Sequence, residues 1–113
     1  MIRLYGIPNC NKIRNTRNLF GEIGIEYEFI NVRKTPVTED KLKTIVSKLG
    51  IDTLFNTKGT TYRRLNLDYK KMDQNDKFQV LFKEQSMIKR PLIEKDGEYH
   101  VGFDELAIKS FIG

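Results

Sequence analysis

The chain has 113 residues, of which 39% are hydrophobic and 31% are charged, and its formal net charge is +5. This composition is typical of one folded globular domain and argues against an intrinsically disordered chain. The single cysteine excludes an internal disulfide and any multi-cysteine zinc site. No signal-peptide pattern opens the chain and no apolar run approaches membrane-spanning length, so we expect a cytoplasmic protein without membrane association.

The positive charge is spread along the chain. Twenty lysine and arginine residues stand against fifteen aspartate and glutamate residues, with no long basic run and no zinc-finger spacing. This pattern favours a mildly basic, solvated surface, which suits small anions better than direct binding of DNA.

The N-terminal part of the chain predicts a strand, a helix and a second strand. Residues 2–7 are apolar and aromatic, as in a short central strand. The following helix is predicted to start after an Asn9 cap and to end near Gly21 and Gly24. Its apolar positions fall at helical spacing and are Ile13, Leu19, Phe20 and Ile23. Residues 27–32 alternate as a second strand, and such a βαβ unit places its two strands in parallel.

The middle of the chain predicts helices with no strand between them. A helix over 39–49, capped by Thr38, is followed by a short helix and then by an irregular polar loop that runs to Leu65. Residues 73–85 predict a further helix. The residues of this helix that we expect to face inward are Phe78, Leu81 and Phe82.

The C-terminal part of the chain predicts a β-hairpin and a final helix. Residues 87–94 form a turn that leads into a strand, and Asp96-Gly97 is a strong hairpin signal. Residues 99–103 are the return strand. Asp104 is placed to cap a last helix over 105–112.

This order of elements predicts an α/β fold. The parallel βαβ pair and the antiparallel hairpin combine into a mixed sheet of four strands with helices on its faces. The consecutive helices in the middle form a helical insert over about residues 38–86, within a single domain that spans residues 1–113.

Cys10 is the residue that indicates function most strongly, because it lies between the first strand and the first helix. A helix N-terminus presents unpaired backbone N–H groups and partial positive charge, and both favour the thiolate, which is the nucleophilic form. Lys12 and Arg14 add positive charge in the first helical turn. The alternative is a small buried hydrophobic residue, as many free cysteines are. The basic flank favours the reactive thiol.

Four segments carry a resemblance to a known family and occur in the family's order along nearly the whole chain. Residues 4–10 resemble its nucleophile turn, and residues 56–65 resemble a loop that some members carry as N-T-R-G-T-T-W-R-K-L. Residues 88–93 resemble its Arg-Pro strand entry, and residues 101–103 resemble its V-G-F turn. The chain thus resembles the glutathione-type arsenate reductase/Spx family, especially its YffB-like members, which implies a thioredoxin-like fold.

The resemblance also implies roles for particular residues. Cys10 would be the nucleophile. Pro91 would be a cis-proline that faces the thiol, against the alternative of a trans proline at the start of an edge strand, and Pro8 would shape the turn before Cys10. The groups that would hold an anion are Asn11, Lys12, Ile13, Arg14, Lys58 and Arg90.

The chain departs from the family pattern in two places. Position 13 is isoleucine, so the C-x-x-C dithiol of Spx-type regulators is missing, and an outside thiol such as glutathione or glutaredoxin must resolve any adduct. Glutathione-type arsenate reductases use three arginines, of which only Arg90 matches here. Lys58 fills a second position and Gly102 lies near the third. These departures weaken the case for arsenate as the substrate more than the case for thiol chemistry.

Other candidate residues are weaker. His100 is the only histidine, and a surface position on the hairpin is favoured over a role as base near Cys10. Lys58 suits a ligand and a solvated basic loop equally well, whereas Arg63 and Arg64 favour the solvated loop.

Three hypotheses follow. The first is a glutathione-dependent thiol oxidoreductase, similar to arsenate reductase, with glutathione as co-substrate and no bound cofactor. The second is an Spx-like transcriptional regulator that binds the RNA polymerase α-subunit without catalysis. The third is a folded scaffold with no working site.

Overall fold

The fold is centred on a sheet of four strands, and the computed structural model describes all residues from 1 to 113. The strands are β1 (Ile2–Gly6), β2 (Glu28–Asn31), β3 (Leu92–Lys95) and β4 (Glu98–Val101), in the spatial order β2-β1-β3-β4. β1 and β2 are parallel, whereas β3 is antiparallel to both β1 and β4. This arrangement confirms the predicted α/β class and the mixed four-stranded sheet, although β2 and β4 are each shorter than predicted.

Helix α1 (Asn11–Glu22) follows β1 and returns the chain to the start of β2. One face of the helix is buried, and Thr16 on that face donates its hydroxyl to the carbonyl of Lys12 at 2.7 Å. The predicted Asn9 cap is wrong, because Asn9 is exposed and Cys10 occupies the N-cap position without a side-chain hydrogen bond. The helix therefore begins at the candidate nucleophile itself.

The C-terminal end of α1 differs slightly from the prediction. Gly21 lies inside the helix, which runs to Glu22, and Gly24 follows with a left-handed φ of +71°. Ile23, predicted on the buried face, lies beyond the last helical residue and is 37% exposed. Phe20 is fully buried and closes this end of the apolar face.

Between β2 and β3 the chain forms four helices and two short 3-10 turns. The helices are α2 (Glu39–Leu49), α3 (Ile51–Leu54), α4 (Thr60–Leu65) and α5 (Gln74–Lys83), and the 3-10 turns are Tyr69–Lys71 and Gln85–Met87. Thr38 caps α2 as predicted, by accepting a hydrogen bond from the Lys41 amide. Asp73 caps α5 through a reciprocal capping box with Asp76.

Helix α4 corrects the prediction of an irregular loop that runs to Leu65. Its six residues include no fully buried side chain and show no apolar periodicity, so the sequence carries no helical signal there. Tertiary contacts stabilise it, since Tyr62 packs edge-on against Phe55 with ring centroids 6.3 Å apart. The Tyr62 hydroxyl also accepts a hydrogen bond from the Tyr69 amide at 3.0 Å.

The inward face predicted for α5 is only partly buried. Leu81 is fully buried, as predicted. Phe78 and Phe82 are half-buried and stack on each other with ring centroids 6.4 Å apart. Lys77, which the sequence offered no reason to bury, is only 9% exposed and pairs with Asp52 at 3.0 Å.

The C-terminal hairpin and helix follow the prediction. Asp96 and Gly97 both have positive φ, as a two-residue type I′ turn requires. Helix α6 (Glu105–Ile112) is capped by Asp104, whose carboxylate accepts from the Ala107 amide at 3.1 Å.

The sheet separates two apolar clusters, because successive side chains of a strand point to opposite faces. Leu4 and Ile93 belong to the cluster that α1 and α6 cover, whereas their neighbours Tyr5 and Leu92 face the cluster beneath α2, α3 and α5. Cys10 contacts both clusters from the edge. No helix of the chain is both long and apolar enough to cross a membrane.

Candidate active site

Cys10 lies at a cleft of about 620 Å³ that forms where several loops meet at one edge of the sheet. The loops after β1, α3 and β4 and the segment before β3 each contribute to its walls. The lining residues are Cys10, Asn11, Lys12, Thr53, Asn56, Thr57, Lys58, Gly59, Lys89, Arg90, Val101, Gly102 and Phe103. Residues far apart in the sequence thus surround one half-buried thiol.

The backbone places the Cys10 side chain beside free hydrogen-bond donors. Cys10 has an extended conformation (φ −142°, ψ 127°), and its carbonyl accepts the Arg14 amide at 2.9 Å. The amides of Asn11, Lys12 and Ile13 have no acceptor within the protein. Because these N–H groups point out of the helix N-terminus, they favour negative charge at the cleft.

The predicted anion ligands in the first turn of α1 differ in their access to the cleft. Asn11 and Lys12 line the cleft. The side chain of Ile13 is fully buried, so only its backbone amide is available to a ligand. Arg14 is exposed, lies outside the lining and donates to the Asn11 Oδ1.

Arg90 reaches the cleft from the segment before β3. The residue is half-buried, and its Nη1 donates to the carbonyl of Ser86 at 2.8 Å. Arg90 forms no salt bridge, so its remaining donors are free for a ligand. The Arg90–Pro91 bond is cis, as the resemblance implied, and Pro91 is buried with its carbonyl bonded to the Gly102 amide at 2.9 Å. Pro8 is exposed and does not line the cleft.

The lining of the cleft carries positive charge only. Its four cationic side chains are Lys12, Lys58, Lys89 and Arg90, and no aspartate or glutamate lines it. Lys89 was missed at the sequence level, where its position beside Arg90 was the one available signal. A concave site with this charge and with free amides is suited to an anionic ligand.

Of the weaker candidates, Lys58 lines the cleft, whereas His100, Arg63 and Arg64 lie outside it. The His100 Nε2 lies 3.0 Å from the Gly102 carbonyl, and its ring packs against Phe111 with centroids 5.7 Å apart. Arg63 and Arg64 are exposed, and Arg64 pairs with Glu84 at 3.7 Å. No group of three or more His, Cys, Asp or Glu side chains is arranged to hold a metal ion.

Comparison with known proteins identifies the family. The model of the ArsC family matches residues 5–111, which is almost the whole chain. The chain belongs to the ArsC family. The resemblance to the arsenate reductase/Spx family and the thioredoxin-like fold that it implied are therefore confirmed.

The proteins similar to this ArsC-family chain include a transcriptional regulator and an arsenate reductase-related protein. The global transcriptional regulator Spx of Listeria monocytogenes serotype 4b is 28% identical over 114 residues, which cover 99% of this chain and 87% of Spx. The solved structure of YffB superposes with a TM-score of 0.87 at 28% identity, covering 97% of each chain. An arsenate reductase-related protein from Brucella melitensis gives a TM-score of 0.79 at 27% identity, covering 98% of this chain and 93% of that one.

Proposed function

We propose that this protein is a thiol oxidoreductase in which Cys10 exchanges with the disulfide form of a small anionic thiol, with glutathione as the co-substrate. The observation that carries the proposal is the half-buried Cys10 thiol in a cleft with four cationic side chains and no carboxylate. A mildly reducing cytoplasmic setting would keep such a thiol free, and we propose that location.

The proposed reaction has two steps. The Cys10 thiolate attacks the glutathione sulfur of a mixed disulfide between glutathione and a second thiol, the S–S bond breaks, a Cys10–glutathione disulfide forms, and the second thiol leaves as a thiolate that takes a proton from water. An outside thiolate, from glutathione or a glutaredoxin, then attacks the glutathione sulfur of the adduct and releases the Cys10 thiolate. The second thiol must come from outside because the chain has one cysteine. Arg90 would hold a carboxylate of the glutathione moiety in both steps.

Replacing Cys10 tests this proposal directly. We expect oxidised glutathione to add one glutathionyl group to the wild type at neutral pH, and to add none to Cys10→Ser, as read by intact-protein mass spectrometry. The matched control is Cys10→Ser combined with Ser110→Cys, which moves the only thiol to the exposed surface of α6. The wild type should react at least about tenfold faster than this control, because a thiolate is the reacting form. Equal rates would contradict the proposal.

A second candidate function is transcriptional regulation without catalysis. The near full-length similarity to Spx favours it. The missing second cysteine argues against an internal dithiol switch, so we propose that binding to RNA polymerase would not respond to redox state. Retention of the α-subunit domain of RNA polymerase by the immobilised chain, equal for the wild type and Cys10→Ser, would support the regulator. Adduct formation without retention would support the oxidoreductase.

A further inference from the structure

A second compartment opens beside the thiol cleft. It has a volume of about 250 Å³ and shares Asn56, Gly59 and Arg90 with the cleft, so those residues form the wall between the two spaces. The other residues that line this side compartment are Ile7, Asn9, Arg33, Thr60, Thr61, Ser86 and Met87. The two spaces therefore adjoin each other at Arg90.

The side compartment also carries positive charge only. Arg33 and Arg90 line it, and no aspartate or glutamate does. Arg33 lies in the turn after β2, where its amide donates to the Asn31 Oδ1 at 3.0 Å, and its exposed side chain forms no salt bridge. Two guanidinium groups without carboxylate partners on one cavity are suited to an anion that is planar and bidentate, such as a carboxylate.

The wall between the two compartments supplies a further donor. Asn56 is fixed by its own amide, which donates to the Met87 carbonyl at 3.0 Å, and by its Oδ1, which accepts from the Lys58 amide at 3.1 Å. Its Nδ2 has no acceptor within the protein. Gly59 leaves room for this amide, since a Cβ at position 59 would lie 2.8 Å from the Asn56 Nδ2.

Other cations of the chain do have carboxylate partners. On the face of the sheet that α2 covers, Lys41 and Arg3 both pair with Glu94, at 2.8 Å and 3.7 Å. On the insert, Lys77 pairs with Asp52. The five cations of the cleft and of the side compartment form no salt bridge, so their charge is available to a ligand in either space.

We propose that the side compartment is a second anion subsite, which selects small thiols and disulfides that carry two separated carboxylates. One carboxylate lies in the thiol cleft near Lys12, Lys58 or Lys89, and the other lies between Arg33 and Arg90. This inference rests on the proposed function, since it assumes that the sulfur of the ligand is at Cys10. It adds Arg33 as a residue that determines which thiols react.

A non-reacting ligand tests the subsite without any thiol chemistry. S-methylglutathione has two carboxylates and no free thiol, so its dissociation constant can be measured by NMR titration of the labelled full chain. We expect Arg33→Gln to weaken binding about tenfold, which corresponds to the loss of one charged contact, and Arg33→Lys to weaken it less. Arg63→Gln is the matched control, because Arg63 is exposed, unpaired and outside both cavities.

Two results of this titration would overturn the proposal. One is equal binding to the wild type, Arg33→Gln and Arg63→Gln. The other is no detectable binding to the wild type. Chemical-shift changes at Arg33, Thr61 and Ser86 in the wild type, lost in Arg33→Gln, would support it.

A kinetic experiment separates failure of the subsite from failure of the proposed function. Arg33→Gln should slow adduct formation with oxidised glutathione about tenfold, yet change the reaction with the neutral disulfide bis(2-hydroxyethyl) disulfide by less than about twofold. Equal slowing with both disulfides would overturn the subsite and leave the thiol chemistry standing. A wild type that reacts with neither disulfide but binds S-methylglutathione through Arg33 would overturn the thiol chemistry and leave the subsite standing.

Discussion

At the scale of single residues, Gly6 determines how closely α1, the helix that begins after Cys10, approaches the sheet. A Cβ at position 6 would lie 2.3 Å from the Cδ1 and 2.8 Å from the Cγ1 of Ile13, which is fully buried. Ile13 lies in the first turn of α1, three residues after Cys10. The absence of a side chain at position 6 therefore lets the start of α1, and with it the thiol, lie directly against the end of β1.

Gly6→Ala should destabilise the fold. The added methyl group has to displace a side chain that has no free space, and overpacking of this kind costs about 1–3 kcal/mol of unfolding free energy. Urea denaturation followed by circular dichroism measures the loss. Gly21→Ala is the control, because nothing lies within 4 Å of its Cβ position on α1. That control should gain up to about 1 kcal/mol from helix propensity, and a Gly6→Ala protein as stable as the wild type would contradict the packing argument.

At the scale of secondary-structure elements, Glu94 connects three strands and a helix. From β3 it accepts the Tyr5 hydroxyl of β1 at 2.5 Å and lies 3.4 Å from the Tyr99 hydroxyl of β4. Lys41 of α2 pairs with it at 2.8 Å, and Arg3 of β1 at 3.7 Å. Burial alone would raise the pKa of Glu94, but the hydrogen bonds from Lys41 and Tyr5 outweigh it and hold this pKa below its usual value. Burial and the neighbouring carboxylate raise the pKa of Tyr5.

This network makes the stability of the fold depend on acid pH. Because the pKa of Glu94 is lower in the folded state, its stabilising contribution is complete above the ordinary glutamate value of about 4.3 and is lost as the pH falls through the lower folded value. Glu94→Gln should lose about 1–3 kcal/mol at pH 7 and show a flatter decline between about pH 5 and pH 3. Urea midpoints measured across this range give both quantities.

The control for that experiment is Glu22→Gln. Glu22 is exposed at the end of α1 and forms no salt bridge. Its replacement should leave the acid dependence of the wild type intact. If Glu94→Gln and Glu22→Gln behaved alike, the buried network would not be the source of the acid dependence.

The elements also show where sequence reasoning succeeds. Strand alternation, capping residues and the Asp96-Gly97 turn act over a few neighbours, so the sheet, α2, α5 and α6 were predictable. Helix α4 was missed because contacts with Phe55 and Tyr69, which lie outside the helix, stabilise it. The side compartment was missed because Arg33 and Arg90 are far apart in the sequence, and only the topology of the sheet brings them to one space. The family resemblance, and no local pattern, supplied Arg90 and the cis bond before Pro91.

At the scale of the whole molecule, the net charge of +5 and the cationic cleft act in the same direction. The overall charge attracts anions over distances of about one Debye length, roughly 10 Å at 0.1 M salt, and the cleft concentrates that attraction near Cys10. Association with an anionic disulfide should therefore be faster than association with a neutral one of similar intrinsic reactivity.

Ionic strength tests this electrostatic contribution. Raising the NaCl concentration from about 0.02 M to about 0.5 M should slow adduct formation with oxidised glutathione several-fold, because salt screens the attraction. The rate with bis(2-hydroxyethyl) disulfide should stay within about twofold under the same change. Stopped-flow mixing with mass-spectrometric quantification gives both rates. A salt effect of equal size on the two disulfides would argue against electrostatic attraction to the cleft.

At the N-cap of α1, the thiol chemistry that we propose competes with helix stability for one position. Serine, aspartate or asparagine there would accept a hydrogen bond from the first turn and stabilise the helix by about 1 kcal/mol, and Cys10 makes no such bond. The first turn of α1 therefore has no side-chain acceptor for its free amides, and a bound anion can accept hydrogen bonds from them instead. A substitution that removes the Cys10 sulfur can stabilise the helix, so the thiol chemistry that we propose could be lost without loss of the fold.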